Sequence, residues 1–141
     1  MFKQLKHMKL KSTLSLFMMI SIYSLNAQEV AFIEYYDNGN LKVNGLKTNE
    51  GTPIGAWTYY RKDNSLDMEL HFNEYGKPQG PFKMYHRNGK LQIKCSYSGK
   101  GFYEMDGEYE DYYKNGQLES KGVYKENKAI GKWVKYYDSG E

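Results

Sequence analysis

Tyr112-Tyr113-Lys114-Asn115-Gly116-Gln117-Leu118 is the stretch that decides the fold. Two tyrosines suited to an extended strand run into Asn-Gly, and Leu118 opens a second extended run that reaches Tyr124. Asn-Gly between such runs is the strongest short hairpin signal, because a type I′ turn needs positive φ at both central residues and these two residue types tolerate it best. The spacing predicts a β-hairpin turning at Asn115 and Gly116.

The same words recur along the chain. They appear as Tyr35-Tyr36-Asp37-Asn38-Gly39-Asn40-Leu41, as Tyr60-Arg61-Lys62-Asp63-Asn64-Ser65-Leu66 and as Tyr85-His86-Arg87-Asn88-Gly89-Lys90-Leu91. A fifth copy begins at Tyr136-Tyr137-Asp138-Ser139-Gly140-Glu141, and the steps between copies are 25, 25, 27 and 24 residues. A second motif, Gly-x-aromatic, keeps step with the first: Gly55-Ala56-Trp57, Gly80-Pro81-Phe82, Gly107-Glu108-Tyr109 and Gly131-Lys132-Trp133. Two landmarks in register over four periods mark a repeat architecture. Turns are expected at Asn38-Gly39, Asp63-Asn64, Asn88-Gly89 and Asn115-Gly116. After the second turn, alternation puts Leu66, Met68, Leu70 and Phe72 on one face and Asp67, Glu69 and His71 on the other. The next copy sets Leu91, Ile93, Cys95 and Tyr97 against Gln92, Lys94 and Ser96. In the outer copies this face thins to Gly45 and Gly122, which neighbouring side chains must cover. Polar segments such as 73–80 and 125–131 read as turns. The expected fold is all-β: about four to five β-hairpin repeats, roughly nine short strands, forming an elongated antiparallel meander whose stability comes from neighbour interfaces.

Composition agrees. Residues 28–141 hold 20 aromatics against 14 Ile, Leu and Val, with 14 glycines, which opposes helix and favours a sheet rich in tight turns. The chain's net charge of +3 comes from four lysines in residues 1–27, and the remainder carries 16 Lys and Arg against 17 Asp and Glu. That balance argues against a nucleic-acid partner, which needs clustered positive charge. Residues 1–27 read as a signal peptide, with Lys3, Lys6, Lys9 and Lys11 ahead of an apolar run from Leu14 to Leu25 and cleavage expected after Ala27. The apolar run is shorter than the roughly 20 residues of a spanning helix. Export to the periplasm or the medium is therefore expected, with one repeat domain at 28–141. Cys95 is the only cysteine, so it makes no internal disulfide and reads as a small buried hydrophobe rather than a reactive thiol.

These motifs resemble the MORN repeat, and more closely its bacterial variant in proteins labelled YwqK-family antitoxins. The shared pattern is Tyr-Tyr-x-Asn-Gly-x-Leu, then Gly-Val123-Tyr124 and Gly131-x-Trp133-x-x-Tyr136-Tyr137, and it covers nearly all of residues 33–141. The resemblance implies a hairpin array acting as an interaction surface, and its label implies neutralisation of a toxin.

Chemistry-bearing constellations are sparse. His71 and His86 lie in no metal-ligand or nucleophile motif, and no cofactor or metal is expected. Asp67, Glu69 and His71 share a strand face but read as a solvated face. Glu104, Asp106, Glu108 and Glu110 alternate with Tyr103, Met105, Gly107 and Tyr109, marking an acidic edge. That edge either keeps a strand soluble or docks a basic partner such as a nuclease toxin. Among Tyr59, Tyr60, Tyr85, Tyr112, Tyr113, Tyr136 and Tyr137, alternation sends one ring of each pair to the core and the other to a face that binds protein, sugar or lipid or is simply packed. The expected function is an exported non-enzymatic interaction protein of antitoxin or immunity type. The alternatives are a glycan- or lipid-binding envelope module and a structural envelope repeat protein.

Overall fold

The computed structural model describes residues 29–139; the expected leader and cleavage point lie outside the described residues. Nine strands follow in chain order: β1 (Val30–Tyr35), β2 (Leu41–Lys47), β3 (Pro53–Tyr60), β4 (Leu66–Phe72), β5 (Gln79–Tyr85), β6 (Leu91–Ser98), β7 (Gly107–Tyr112), β8 (Leu118–Lys125) and β9 (Lys128–Lys135). They form one antiparallel sheet in sequential order, with β1 and β9 at its edges. The fold is the all-β hairpin meander that the repeats predict.

The turn chemistry differs from the type I′ expectation. Around Gly39 the hairpin closes through Tyr36 N–H to Asn40 O (2.8 Å) and Gly39 N–H to Tyr36 O (2.9 Å), which leaves a three-residue loop. The same pair of bonds recurs around Asn64, Gly89 and Gly116. Only the last loop residue has positive φ, at 85° for Gly39 and 66° for Asn64, whereas Asn38, Asp63, Asn88 and Asn115 do not. This is a type I turn followed by one left-handed residue. The two-residue type I′ turn occurs instead at Glu126 and Asn127, with φ of 51° and 63°, between the paired Lys125 and Lys128. Residues 128–131, expected in a turn, therefore lie in β9.

A register shift recurs between Glu34 and Tyr35, Tyr59 and Tyr60, Met84 and Tyr85, and Asp111 and Tyr112. Each leaves one residue of the Leu-bearing strand unpaired, Asp67 in the second hairpin, and pairs Tyr60 with Leu66 while Tyr59 pairs with Met68. Cross-strand partners share a face and successive residues do not. Leu66 therefore joins Tyr60 on the face opposite Met68, and the unbroken alternation expected from Leu66 to Phe72 starts only at Met68. Leu91 separates from Ile93 and Cys95 for the same reason.

One face holds the core. Val43, Trp57, Leu70, Phe72, Phe82 and Cys95 are buried there, with Phe32, Tyr59, Met68, Met84, Ile93, Tyr97, Met105 and Tyr109 packed against them. The Gly-x-aromatic motif builds this face. Its glycines take positive φ, 66° at Gly55 and 64° at Gly131, where pairing with the preceding strand is interrupted opposite Gly45 and Gly122. The interruption lays each tryptophan on a glycine: a Cβ at Gly45 would sit 2.8 Å from Trp57 Cγ, and one at Gly122 would sit 2.7 Å from Trp133 Cγ. Neighbouring side chains cover these glycines, as the sequence requires. Trp57 stacks on Phe32 (5.4 Å) and meets Phe72 edge-on (5.6 Å), while Trp133 meets Tyr124 edge-on (5.1 Å). The two extra residues of the 27-residue step fall in the connection 99–106, where Tyr103 folds onto Tyr97 at 5.6 Å. Burial, and then the proximity of Tyr103, push the Tyr59 hydroxyl pKa up.

Candidate functional site

The repeats are fastened to one another at their turn tips. The residue after the first motif tyrosine reaches the backbone carbonyl of that tyrosine in the next copy. Tyr36 Oη donates to Tyr60 O (2.9 Å), the Arg61 guanidinium donates to Tyr85 O, His86 Nε2 meets Tyr112 O (2.7 Å) and Tyr113 Oη donates to Tyr136 O (2.8 Å). Three different side-chain types thus perform one task. Arg61 also donates to Leu66 O (2.7 Å) and pairs with Asp67 (2.6 Å).

The motif asparagines make a second row of clamps. Asn38 Nδ2 donates to Lys62 O (3.0 Å), Asn88 Nδ2 to Lys114 O (2.7 Å) and Asn115 Nδ2 to Asp138 O (2.9 Å). Their Oδ1 atoms accept from the backbone two residues on, at 3.2 Å for Asn40, 3.1 Å for Lys90 and 2.9 Å for Gln117. Asp63 keeps the local half, accepting from Ser65 N (3.0 Å) and Ser65 Oγ (2.5 Å), and those bonds hold its carboxyl below the usual range. A carboxylate has no proton to donate, so the clamp toward Arg87 is missing.

Between successive tips lie clefts. One of about 330 Å³ is lined by Asn38, Arg61, Lys62, Asp63 and Arg87, and another of about 460 Å³ by Arg61, His86, Arg87, Asn88, Gln92 and Lys114. Lys62, Arg87 and Lys114 occupy the same motif position and are exposed, and Asp37 and Asp138 take that position in the outer copies. Sequence reasoning passed over this row because near-neutral composition hides a local line of charge. Its signal was the third motif position read down the copies.

The face opposite the core is mainly polar, with Ile33 exposed near one end of it and Val123 and Ile130 near the other. Tyr60, Tyr85 and Tyr112 lie there half-buried, each against the leucine that opens the next strand, Leu66, Leu91 and Leu118. Tyr85 Oη donates to Glu69 Oε2 (2.6 Å), and burial first, then this carboxylate, pushes its pKa up to about 12. Tyr112 Oη donates to Glu110 Oε2 (2.9 Å). Of the other tyrosines singled out, Tyr59 packs on the core face, Tyr113 and Tyr136 are half-buried in the clamp row, and only Tyr137 is exposed, at 74%.

The acidic stretch is not an edge. β7 is hydrogen-bonded to β6 and to β8, and Glu104 and Asp106 precede it in the connection. Gly107, with φ of 122°, breaks the alternation that would have put all four carboxylates on one face. Glu104 accepts from Ser98 Oγ (2.8 Å), Asp106 pairs with Lys125 (2.8 Å) and Glu110 with Lys94 (2.9 Å), while Glu108 is exposed. Lys94 holds the Glu110 carboxyl below its usual range despite partial burial. The structure thus distributes these residues among cross-strand partners rather than gathering them. Among the described residues no group of three His, Cys, Asp or Glu is placed to hold a metal ion. Cys95 is buried, and that burial raises its thiol to about 11.

No curated protein matches the chain. Three stretches, residues 28–45, 78–98 and 105–126, match the family model of the MORN repeat variant, and they coincide with β1 and much of β2, with β5–β6 and with β7–β8, so the hairpins described above are similar in sequence to that variant's repeats.

Proposed function

We propose that this protein is an exported, non-catalytic binding protein whose partner is another protein, with toxin neutralisation of the immunity type as its specific form. MORN repeats are generally modules for interaction with proteins or membrane lipids, and their family is typically non-catalytic. The observation that carries the reading is the double row of clamps onto backbone carbonyls. It fixes the spacing of the tips while the neighbouring side chains vary from copy to copy, which is the property of a scaffold that displays a surface. The basic, then apolar, character of residues 1–27 supports export, and the resemblance to YwqK-family antitoxins supports the toxin partner.

The test is affinity capture with tagged full chain from an envelope extract and from culture supernatant, with mass spectrometry of what is retained. A stoichiometric protein, above all a secreted toxin, is the expected result. Retention of glycan or lipid alone would overturn the reading in favour of a ligand-binding envelope module.

A further inference from the structure

We infer that the row of turn tips bearing Lys62, Arg87 and Lys114 docks an acidic segment of a partner protein, bound in an extended polyproline II conformation with a carboxylate at every third residue. The inference rests on the protein-binding reading above and names the chemistry of the partner. Lys62, Arg87 and Lys114 follow the clamp residues Arg61, His86 and Tyr113, so the clamps set where each emerges. All three are exposed, and none is in an ion pair among the described residues. Successive tips are two strands apart, and strands in a sheet are spaced by about 4.8 Å, so the cations repeat at about 9.6 Å. A polyproline II helix has three residues per turn and rises about 3.1 Å per residue, so side chains at every third position face one way and repeat at about 9.3 Å. The two periods match over three contacts. The larger cleft, with Gln92 in its lining, offers an amide group to the ligand's unpaired backbone.

A membrane surface is the less favoured partner. The tip segments hold four cations, Lys62, Arg87, Lys90 and Lys114, but Lys90 Nζ is turned back onto Asn115 O, and Asp37, Asp63 and Asp138 in the same row offset the rest, which leaves the ridge short of the roughly four to eight clustered Lys and Arg that hold a protein to anionic lipid. The four tip segments 37–40, 62–65, 87–90 and 114–117 carry no apolar side chain for insertion.

The test uses the full chain and fluorescein-labelled synthetic peptides in an anisotropy titration. One peptide repeats Glu-Pro-Pro, and its control has the same composition with the glutamates clustered at one end. The periodic peptide should bind about tenfold more tightly than the control, with an affinity that falls as salt rises. Arg87→Glu should weaken it about tenfold, Lys121→Glu on the polar face should leave it unchanged, and Asp63→Asn should strengthen it severalfold by removing the ridge's internal carboxylate. If Arg87→Glu does not fold, as judged by circular dichroism, Asp63→Asn carries the test alone. Equal affinity for the two peptides overturns the inference, as does tighter retention on phosphatidylglycerol vesicles than on the periodic peptide. Capture of one stoichiometric protein equally by the native chain and by Arg87→Glu overturns the ridge and leaves the protein-binding reading standing.

Discussion

Gly45 and Gly122 occupy equivalent positions beneath equivalent tryptophans, yet the same substitution should have unequal consequences at the two sites. An alanine Cβ at Gly45 overlaps the Trp57 indole, and that ring cannot withdraw. Trp57 is 4% exposed, is held between Phe32 and Phe72, and donates through Nε1 to Leu46 O (3.1 Å) and Ile54 O (3.0 Å). Overpacking of a filled core costs about 1–3 kcal/mol. Disturbing the shared indole bond adds about 0.5–1.5 kcal/mol. Loss of glycine's unfolded-state entropy returns about 0.5–1 kcal/mol. Gly45→Ala should therefore destabilise by about 2–3 kcal/mol. At Gly122 the overlap is just as close, but Trp133 is only partly buried on the edge strand β9, and its buried Nε1 has no hydrogen-bond partner among the described residues. Swinging that ring outward breaks no hydrogen bond and gives up only its contacts with Tyr109 (5.7 Å) and Tyr124 (5.1 Å), so Gly122→Ala should cost about 1 kcal/mol, less than Gly45→Ala. Urea unfolding followed by far-ultraviolet circular dichroism reads both. With a slope near 1–1.5 kcal/mol per molar, the midpoint should fall by about 2 M for Gly45→Ala and by less than about 1 M for Gly122→Ala. An equal or larger drop for Gly122→Ala would refute the claim that indole anchoring decides the cost.

Asn64 holds the positive φ of 66° that glycine holds in the other tips, so Asn64→Gly should raise stability by up to about 1 kcal/mol; a lower thermal midpoint would contradict the turn assignment. Asp63→Asn restores an amide donor opposite Arg87 O and should add about 0.5–1.5 kcal/mol, seen as a higher urea midpoint, with no change expected if the other asparagine clamps are idle. Tyr85, Tyr97 and Tyr109 are each pushed up to about 12, chiefly by burial, so the folded state holds their protons more tightly than the unfolded chain does. Their contribution is complete below pH 10 and is lost as pH rises from about 10 to about 12. Equilibrium unfolding across that range should show stability falling, and ultraviolet titration of the folded protein should show these tyrosines ionising late.

The hairpins, their phase and the number of strands were legible because two motifs mark each period, one at the tip and one in the strand. The turn type was not. Asn-Gly satisfies two geometries, and the tips share the one in which the Asn or Asp Oδ1 accepts from the backbone two residues on, a bond that Asp63 makes as well although it lacks the clamp. The bulges were hidden for a related reason. Alternation of residue type within a strand cannot show that Asp67 is skipped by its neighbour, and that skip moves Leu66 to the other face. Gly-x-aromatic did carry a signal, since an isolated glycine inside a strand marks a bulge, here the one that turns Trp57 onto Gly45. The acidic stretch misled because sequence gives carboxylates without their partners: Lys94 is 16 residues from Glu110, and Lys125 is 19 residues from Asp106. The basic row was the converse case, invisible in net charge and formed only when the tips align.

Each tip separates its tasks by position. The second motif residue needs only a donor long enough to reach a carbonyl, which tyrosine, arginine and histidine all supply, and the fourth needs an amide that bonds forward locally and across to the next copy. The third residue does neither through its side chain; its backbone carbonyl accepts the clamp while the side chain stands free in Lys62 and Lys114. Substitution at that position changes the charge of the ridge without touching a bond that stacks the repeats. Stacking and ridge charge are thereby carried mainly by different residues of each tip, with Asp63, which sits in the clamp position and also carries charge on the ridge, as the exception. A surface built this way can be altered copy by copy, and the order Asp37, Lys62, Arg87, Lys114 and Asp138 is one such setting, three cations flanked by a carboxylate on each side.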